Sequence, residues 1–183
     1  MKNALRFAAL AAALALAPAS AQAALAVGAK APDFQTRGAL AGKVMSVKLS
    51  DALKKGPVVL YFFPAAFTKG CSAEAREFAA HIDEFKKAHA TVIGMSADPV
   101  DKLAKFSTAD CASKFTVASA GPSIVAGYDV ALPPMPEMPN LPKGMTSRTS
   151  YVIAPTGRIA YVHSEMNYAE HVSGTLAAVQ ALQ

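Results

Sequence analysis

The chain has 183 residues, 52% of them hydrophobic, two cysteines and a formal charge of +5. That length suits one domain with one substantial core. Its Lys and Arg residues are scattered, with Lys54-Lys55 and Lys86-Lys87 the only adjacent pairs, which speaks against a nucleic-acid footprint. The absence of C-x-x-C and H-E-x-x-H spacings weakens zinc and dithiol readings, and no cofactor is implied.

The chain opens with Lys2 and Arg6, an apolar stretch from Phe7 to Ala17 and the small-x-small site Ala21-Gln22-Ala23. Those are the three parts of a secretory signal peptide. The apolar stretch is short of the ~20 residues a membrane span needs, and no cysteine stands near the cleavage site to take a lipid. The expected organisation is a signal peptide over 1–23 and one domain over 24–183, periplasmic or secreted, with no stable membrane anchoring. Loss of Lys2 and Arg6 lowers the charge from +5 to +3. Disulfides persist in such compartments, so Cys71 and Cys111 can pair structurally, pair transiently in catalysis, or stay apart.

Residues 33–36 and 44–49 read as two short strands around a turn at Gly38 to Gly42, a hairpin. Ser50 can cap a short helix that Gly56-Pro57 stops. Val58 to Phe63 is a continuous apolar run, the pattern of a central strand buried on both faces. After Pro64 to Gly70 comes a helix with Cys71 in its first turn, carrying Ala75, Phe78, Ala79, Ile82 and Phe85 at helical spacing. Thr91 to Met95 is a second buried strand. Asp98 as cap and Pro99 as first residue then open a helix running to about Asp110. Strand, helix, strand, helix predicts parallel neighbours joined by right-handed crossovers.

A short strand at 115–118 and a helix at 123–128 follow. Residues 131–145, with five prolines and three methionines, read as an irregular loop. Arg148 to Ile153, the turn Pro155-Thr156-Gly157 and Arg158 to His163 make a second hairpin. A last helix from about Tyr168 to Leu182 buries Val172, Leu176, Val179 and Leu182. His81, His89, His163 and His171 show no ligand spacing and read as surface or hydrogen-bonded histidines.

Cys71 carries the chemistry. Free amides at a helix N-terminus favour an anion, and the reactive form of cysteine is the thiolate. The helix end contributes about 0.3–2 kcal/mol, whereas one pKa unit is about 1.4 kcal/mol. A further cation is therefore needed, and Arg148 is the candidate.

The stretch Pro64-x-x-x-Thr68-x-x-Cys71, after a strand and opening a helix, resembles the peroxiredoxin active-site loop. Glu74 matches the glutamate common in that family, and Arg148 before Thr149-Ser150-Tyr151-Val152-Ile153 matches its active-site arginine. The similarity runs from about Val27 to the end, and looks closest to the bacterioferritin-comigratory-protein, PrxQ-like branch. It implies an α/β thioredoxin-like fold, with a central mixed sheet flanked by helices and an N-terminal β-hairpin. Thioredoxin-like oxidoreductases share that architecture, but Ser72 and Ala73 follow Cys71 with no second cysteine, and Arg148 stands about where their cis-proline would be.

The resemblance implies a thiol peroxidase acting on hydrogen peroxide or organic hydroperoxides, recycled by an external thiol or dithiol, as a monomer or weak homodimer. A thiolate attacking a peroxide needs the substrate held for in-line displacement and the leaving oxygen stabilised. Thr68 offers a hydroxyl, Gly70 and Cys71 offer amides, and Arg148 offers charge-assisted donors. Glu74 would orient the arginine fork, and Pro64 would shield the loop. Each residue also has a plainer role: Cys71 as an inert core thiol, Thr68 as a helix cap, Glu74 as a first-turn acid and Arg148 as a surface residue. Their joint order and spacing favour chemistry.

The resemblance further implies that Cys111 resolves oxidised Cys71 through an intramolecular disulfide, since some members of that branch carry a resolving cysteine on the helix matching Pro99 to Asp110. Cys111 falls 12 residues beyond Pro99, roughly 18 Å along the axis, whereas a disulfide needs Cα atoms within about 7 Å. Unwinding Cys71 to Phe78 would release about 23 Å of chain. The rival is a Cys111 that only packs, with Cys71 recycled directly. A different class of function, a thioredoxin-fold binding module or copper carrier, rests on Met135, Met138 and Met145, whose thioethers suit Cu(I).

Overall fold

A computed structural model describes residues 24–133 and 144–183. The signal-peptide stretch, Met135 and Met138 lie outside the described residues. Among the described residues seven strands join one sheet in the order β2-β1-β5-β4-β3-β6-β7.

The strands β1 (Gln35–Leu40) and β2 (Lys43–Lys48) form the N-terminal hairpin. Ala41 and Gly42, at φ 50° and 77°, make its two-residue turn, the twist such short connections require. The wider turn expected from Gly38 is corrected: Gly38 lies inside β1, where a Cβ would stand 2.7 Å from the Val117 carbonyl. Glycine there permits close approach of the neighbouring strand.

Helix α1 (Leu49–Leu53) follows, with Lys48 rather than Ser50 at its N-cap. The cap side chain comes from a distance instead: Ser50 N–H donates to Asp33 Oδ1 at 2.9 Å.

Strand β3 (Val58–Phe62) is buried throughout and sits between parallel β4 (Thr91–Ser96) and antiparallel β6 (Thr149–Ile153). Alternating side chains serve opposite faces. Val58, Leu60 and Phe62 pack with Ile93, Met95, Tyr128 and Tyr151. Val59, Tyr61 and Phe63 pack beneath α2 (Lys69–Lys87), α3 (Val100–Ala109) and α5 (His171–Gln180). The fold is a mixed sheet between two helical layers, with α4 (Pro122–Gly127) on the side of Phe62.

Strand β5 (Thr116–Ser119) runs parallel to β4, and β7 (Ile159–Ser164) completes the second hairpin with β6. Because α5 ends at Gln180, Leu182 is 38% exposed rather than buried, and Leu176 is only partly covered. The β3-loop-α2 unit sets Cys71 at the third helical position, with β6 and α5 beside it.

Candidate active site

The loop from Pro64 to Thr68 is held from three sides before the helix begins. Pro64 is buried. Ala66 N–H donates to Asp98 Oδ2 at 2.6 Å, and Asp98 also accepts from Ser96 Oγ and Lys102 Nζ. Sequence reading makes Asp98 the cap of α3. Pro99 takes that position, and the carboxylate clamps the loop instead. Phe67 adopts φ 68°, a strained region for a bulky residue, and sets its ring edge-on to Phe106 with centroids 5.2 Å apart.

Thr68 is the N-cap of α2 by backbone, but its side chain makes no cap bond. Its hydroxyl donates to the Ala65 carbonyl at 2.9 Å, so the oxygen lone pairs are what it can still offer a ligand. The first bond into the helix is Ser72 N–H to Thr68 C=O at 2.8 Å. The amides of Gly70 and Cys71 therefore belong to the open first turn, as helix geometry requires.

Cys71 is 1% exposed and unpaired. Arg148, 4% exposed just before β6, puts Nη2 3.6 Å from Cys71 Sγ. Its Nη1 pairs with Glu74 Oε2, and Nε donates to the Met166 carbonyl at 2.9 Å. Gly70 leaves room for the guanidinium: a Cβ there would stand 3.2 Å from Arg148 Nη2. Glu74 is fully buried, and its Oε1 lacks a hydrogen-bond partner among the described residues. Burial pushes its carboxyl up to about 8, against the opposing pull of Arg148.

One residue of this assembly escapes sequence reading. His171, at the start of α5, is fully buried. Its Nε2 is 2.9 Å from the Glu165 carbonyl, its Nδ1 is 2.7 Å from Ser150 Oγ and 3.8 Å from Glu74 Oε1. Burial lowers it to about 4, which keeps the ring neutral. The available signal was helical spacing: His171 and Thr175 share the buried side of α5 with Val172 and Val179.

Cys111 is fully buried just past α3, and burial pushes its thiol well up. Ser72 Oγ donates to Asp110 Oδ2 at 2.8 Å, so the residues next to the two cysteines are bonded to each other. Arg76 pairs with Asp110 Oδ1 at 2.6 Å, and Lys114 Nζ reaches the Ala79 carbonyl at 2.9 Å. Ala112 and Ser113, at φ 49° and 59°, turn the chain so that residues 110–114 lie along α2. Counting rise per residue alone could not show this.

A thiol at an open helix end beneath an arginine, on a mixed sheet of this order, defines a thiol-based oxidoreductase site. The AhpC/TSA family model matches residues 27–162, so the chain belongs to that family and is a peroxiredoxin, a thiol-dependent peroxidase. A Mycobacterium tuberculosis protein named as a peroxiredoxin is 32% identical over 137 residues, 74% of this chain and 86% of its own length. The crystal structure of peroxidoxin BcpB from Mycobacterium tuberculosis aligns with a TM-score of 0.74 at 30% identity, covering 86% of this chain and 97% of that one. A crystal structure of PrxQ from Xylella fastidiosa aligns at 0.73 with 25% identity, covering 86% and 96%. The thioredoxin-like architecture and the PrxQ-like likeness expected from the active-site loop are both met.

Proposed function

We propose that Cys71 is the peroxidatic nucleophile for hydrogen peroxide or an organic hydroperoxide, and that Cys111 resolves it. The observation that carries the reading is the Arg148 Nη2 to Cys71 Sγ contact at the open first turn of α2. The thiolate attacks the terminal peroxide oxygen. An S–O bond forms, the O–O bond breaks, Cys71 becomes a sulfenic acid and the leaving oxygen departs as an anion that takes up a proton.

Arg148 and the amides of Gly70 and Cys71 face the place where that negative charge grows. Thr68, with its proton committed to Ala65, accepts the peroxide O–H and aims the substrate. Glu74 holds the arginine fork, and Pro64 keeps the loop entry covered.

In the second step the Cys111 thiol displaces water from the sulfenic acid and a disulfide forms. The Ser72–Asp110 bond supports this, because it tethers the neighbours of both cysteines. A thiol pushed up by burial is a poor nucleophile, so the first turn of α2 unwinds before Cys111 reacts. An external thiol or dithiol then returns both residues to thiols. We further propose that residues 1–23 direct export to the periplasm or beyond, and that the protein works as a monomer or weak homodimer.

Peroxide consumption with a small dithiol as reductant tests the first step. The wild type should turn over and Cys71→Ser should fall to the uncatalysed rate. Equal rates would end the reading.

A further inference from the structure

The guanidinium of Arg148 is planar, so two fixed nitrogens determine the third. Nη1 is fixed by Glu74, which rides on α2 with Cys71. Nε is fixed by the Met166 carbonyl, and that carbonyl lies in an exposed segment: every residue from Ser164 to Glu170 is exposed. Half of the placement of Arg148 over the sulfur therefore depends on a turn that packing alone does not hold.

His171 is the fully buried polar side chain that grips this turn. A carbonyl oxygen only accepts, so the proton of His171 is on Nε2 and is donated to Glu165 C=O, the peptide oxygen immediately before that of Met166. The ring is locked on its other side, where Nδ1 accepts from Ser150 Oγ on β6. His163 packs edge-on against it with centroids 4.5 Å apart. The same ring stands 3.8 Å from Glu74 Oε1, so it touches both elements that hold Arg148.

We propose that His171 is a positioning residue of the peroxidase site: through its Nε2–H bond to Glu165 it fixes the Glu165–Met166 backbone that sets Arg148 Nε, and so places Arg148 Nη2 on Cys71. The inference rests on Cys71 and Arg148 forming the reacting pair. It separates the two ring nitrogens by role. Loss of the Nε2 donor frees the turn, whereas loss of the Nδ1 acceptor costs only the contact with Ser150.

Two substitutions divide those roles. In His171→Asn the amide overlays Nδ1 and cannot reach Glu165. In His171→Gln it overlays Nε2 and can donate to Glu165. The second-order rate constant for oxidation of Cys71 by hydrogen peroxide, measured on the full chain after thermal unfolding has shown each variant folded, should fall about 10- to 100-fold in His171→Asn, the range a misplaced catalytic group produces. His171→Gln should recover most of that loss. Solvent exchange of the Arg148 Nε–H should quicken in His171→Asn and slow again in His171→Gln.

Oxidation of His171→Asn at the wild-type rate, or equal losses in both variants, would overturn the proposal. If His171→Asn does not fold, a folded His171→Gln that oxidises slowly overturns it and a fast one supports it. If neither folds, nitrogen NMR of the wild type decides: a proton on Nε2 supports the proposal, and a proton on Nδ1 defeats it. A wild type whose Cys71 resists peroxide removes the reading of Cys71 itself. Unaffected variants beside a reactive wild type remove only the role of His171.

Discussion

At the residue scale, Arg148 makes three directed contacts at the proposed site. Lysine carries the same charge but only one nitrogen, so Arg148→Lys cannot meet Glu74, Met166 and Cys71 together. Its oxidation rate should fall by roughly 10²-fold, the cost of losing an oriented charge-stabilising donor, with the thermal transition little changed. Stopped-flow oxidation by peroxide checks this, and a loss under threefold would show that charge alone suffices.

Two buried titrating neighbours of that arginine give opposite pH dependences. The unfolded chain protonates His171 near 6.5, the folded one only near 4, so its contribution to stability is present above about 6.5 and lost as pH falls toward 4. Glu74 stays protonated to about 8 when folded, so its contribution is present in acid and lost as pH rises from the ordinary carboxylate range through 8. Denaturant titrations from pH 4 to 8 should show a shallower acid limb in His171→Gln and a shallower alkaline limb in Glu74→Gln. Limbs unchanged from the wild type would place the pH dependence on groups other than these two.

At the scale of elements, the proposed cycle needs the first turn of α2 folded while Cys71 is oxidised and unfolded while Cys111 reaches it. The Ser72–Asp110 bond links the two segments in the folded form. A buried side-chain bond to a charged group contributes about 1.5–3 kcal/mol, and the fraction lost before the disulfide-forming transition state sets the rate. Ser72→Ala should therefore speed disulfide formation by roughly tenfold, equivalent to about 1.4 kcal/mol, while initial oxidation of Cys71 is little altered. Quenched-flow mass analysis separates the two phases. A slower second phase would mean that the bond guides Cys111 toward Cys71 instead of restraining α2.

Local patterning made the elements legible, and distance in sequence hid what braces them. The continuous apolar run of Val58 to Phe63 and the stripe from Ala75 to Phe85 name a buried strand and an amphipathic helix directly. Asp98 defeats the same reading, because it looks like the cap of α3 and instead clamps the loop before α2. His171 was invisible as a site residue for a related reason. Its partners Ser150, Glu165 and Glu74 lie on three other segments, and only the packing of α5 against α2 and β6 brings them together.

At the scale of the whole molecule, the sheet order sets β3, the loop before α2 and the approach to β6 side by side, so Cys71 and Arg148 meet although 77 residues apart. The fold keeps both thiols buried and unpaired, so the proposed cycle calls for a conformational step between oxidation and resolution. One measurement covers that whole sequence: intact mass and non-reducing peptide mapping of the reduced protein after one equivalent of hydrogen peroxide, with Cys111→Ser in parallel. The account predicts a Cys71–Cys111 peptide in the wild type and a single added oxygen on Cys71 in Cys111→Ser. Persistent sulfenic acid on Cys71 beside a free Cys111 in the wild type would contradict the resolving role, and an unmodified Cys71 would contradict the account at its root.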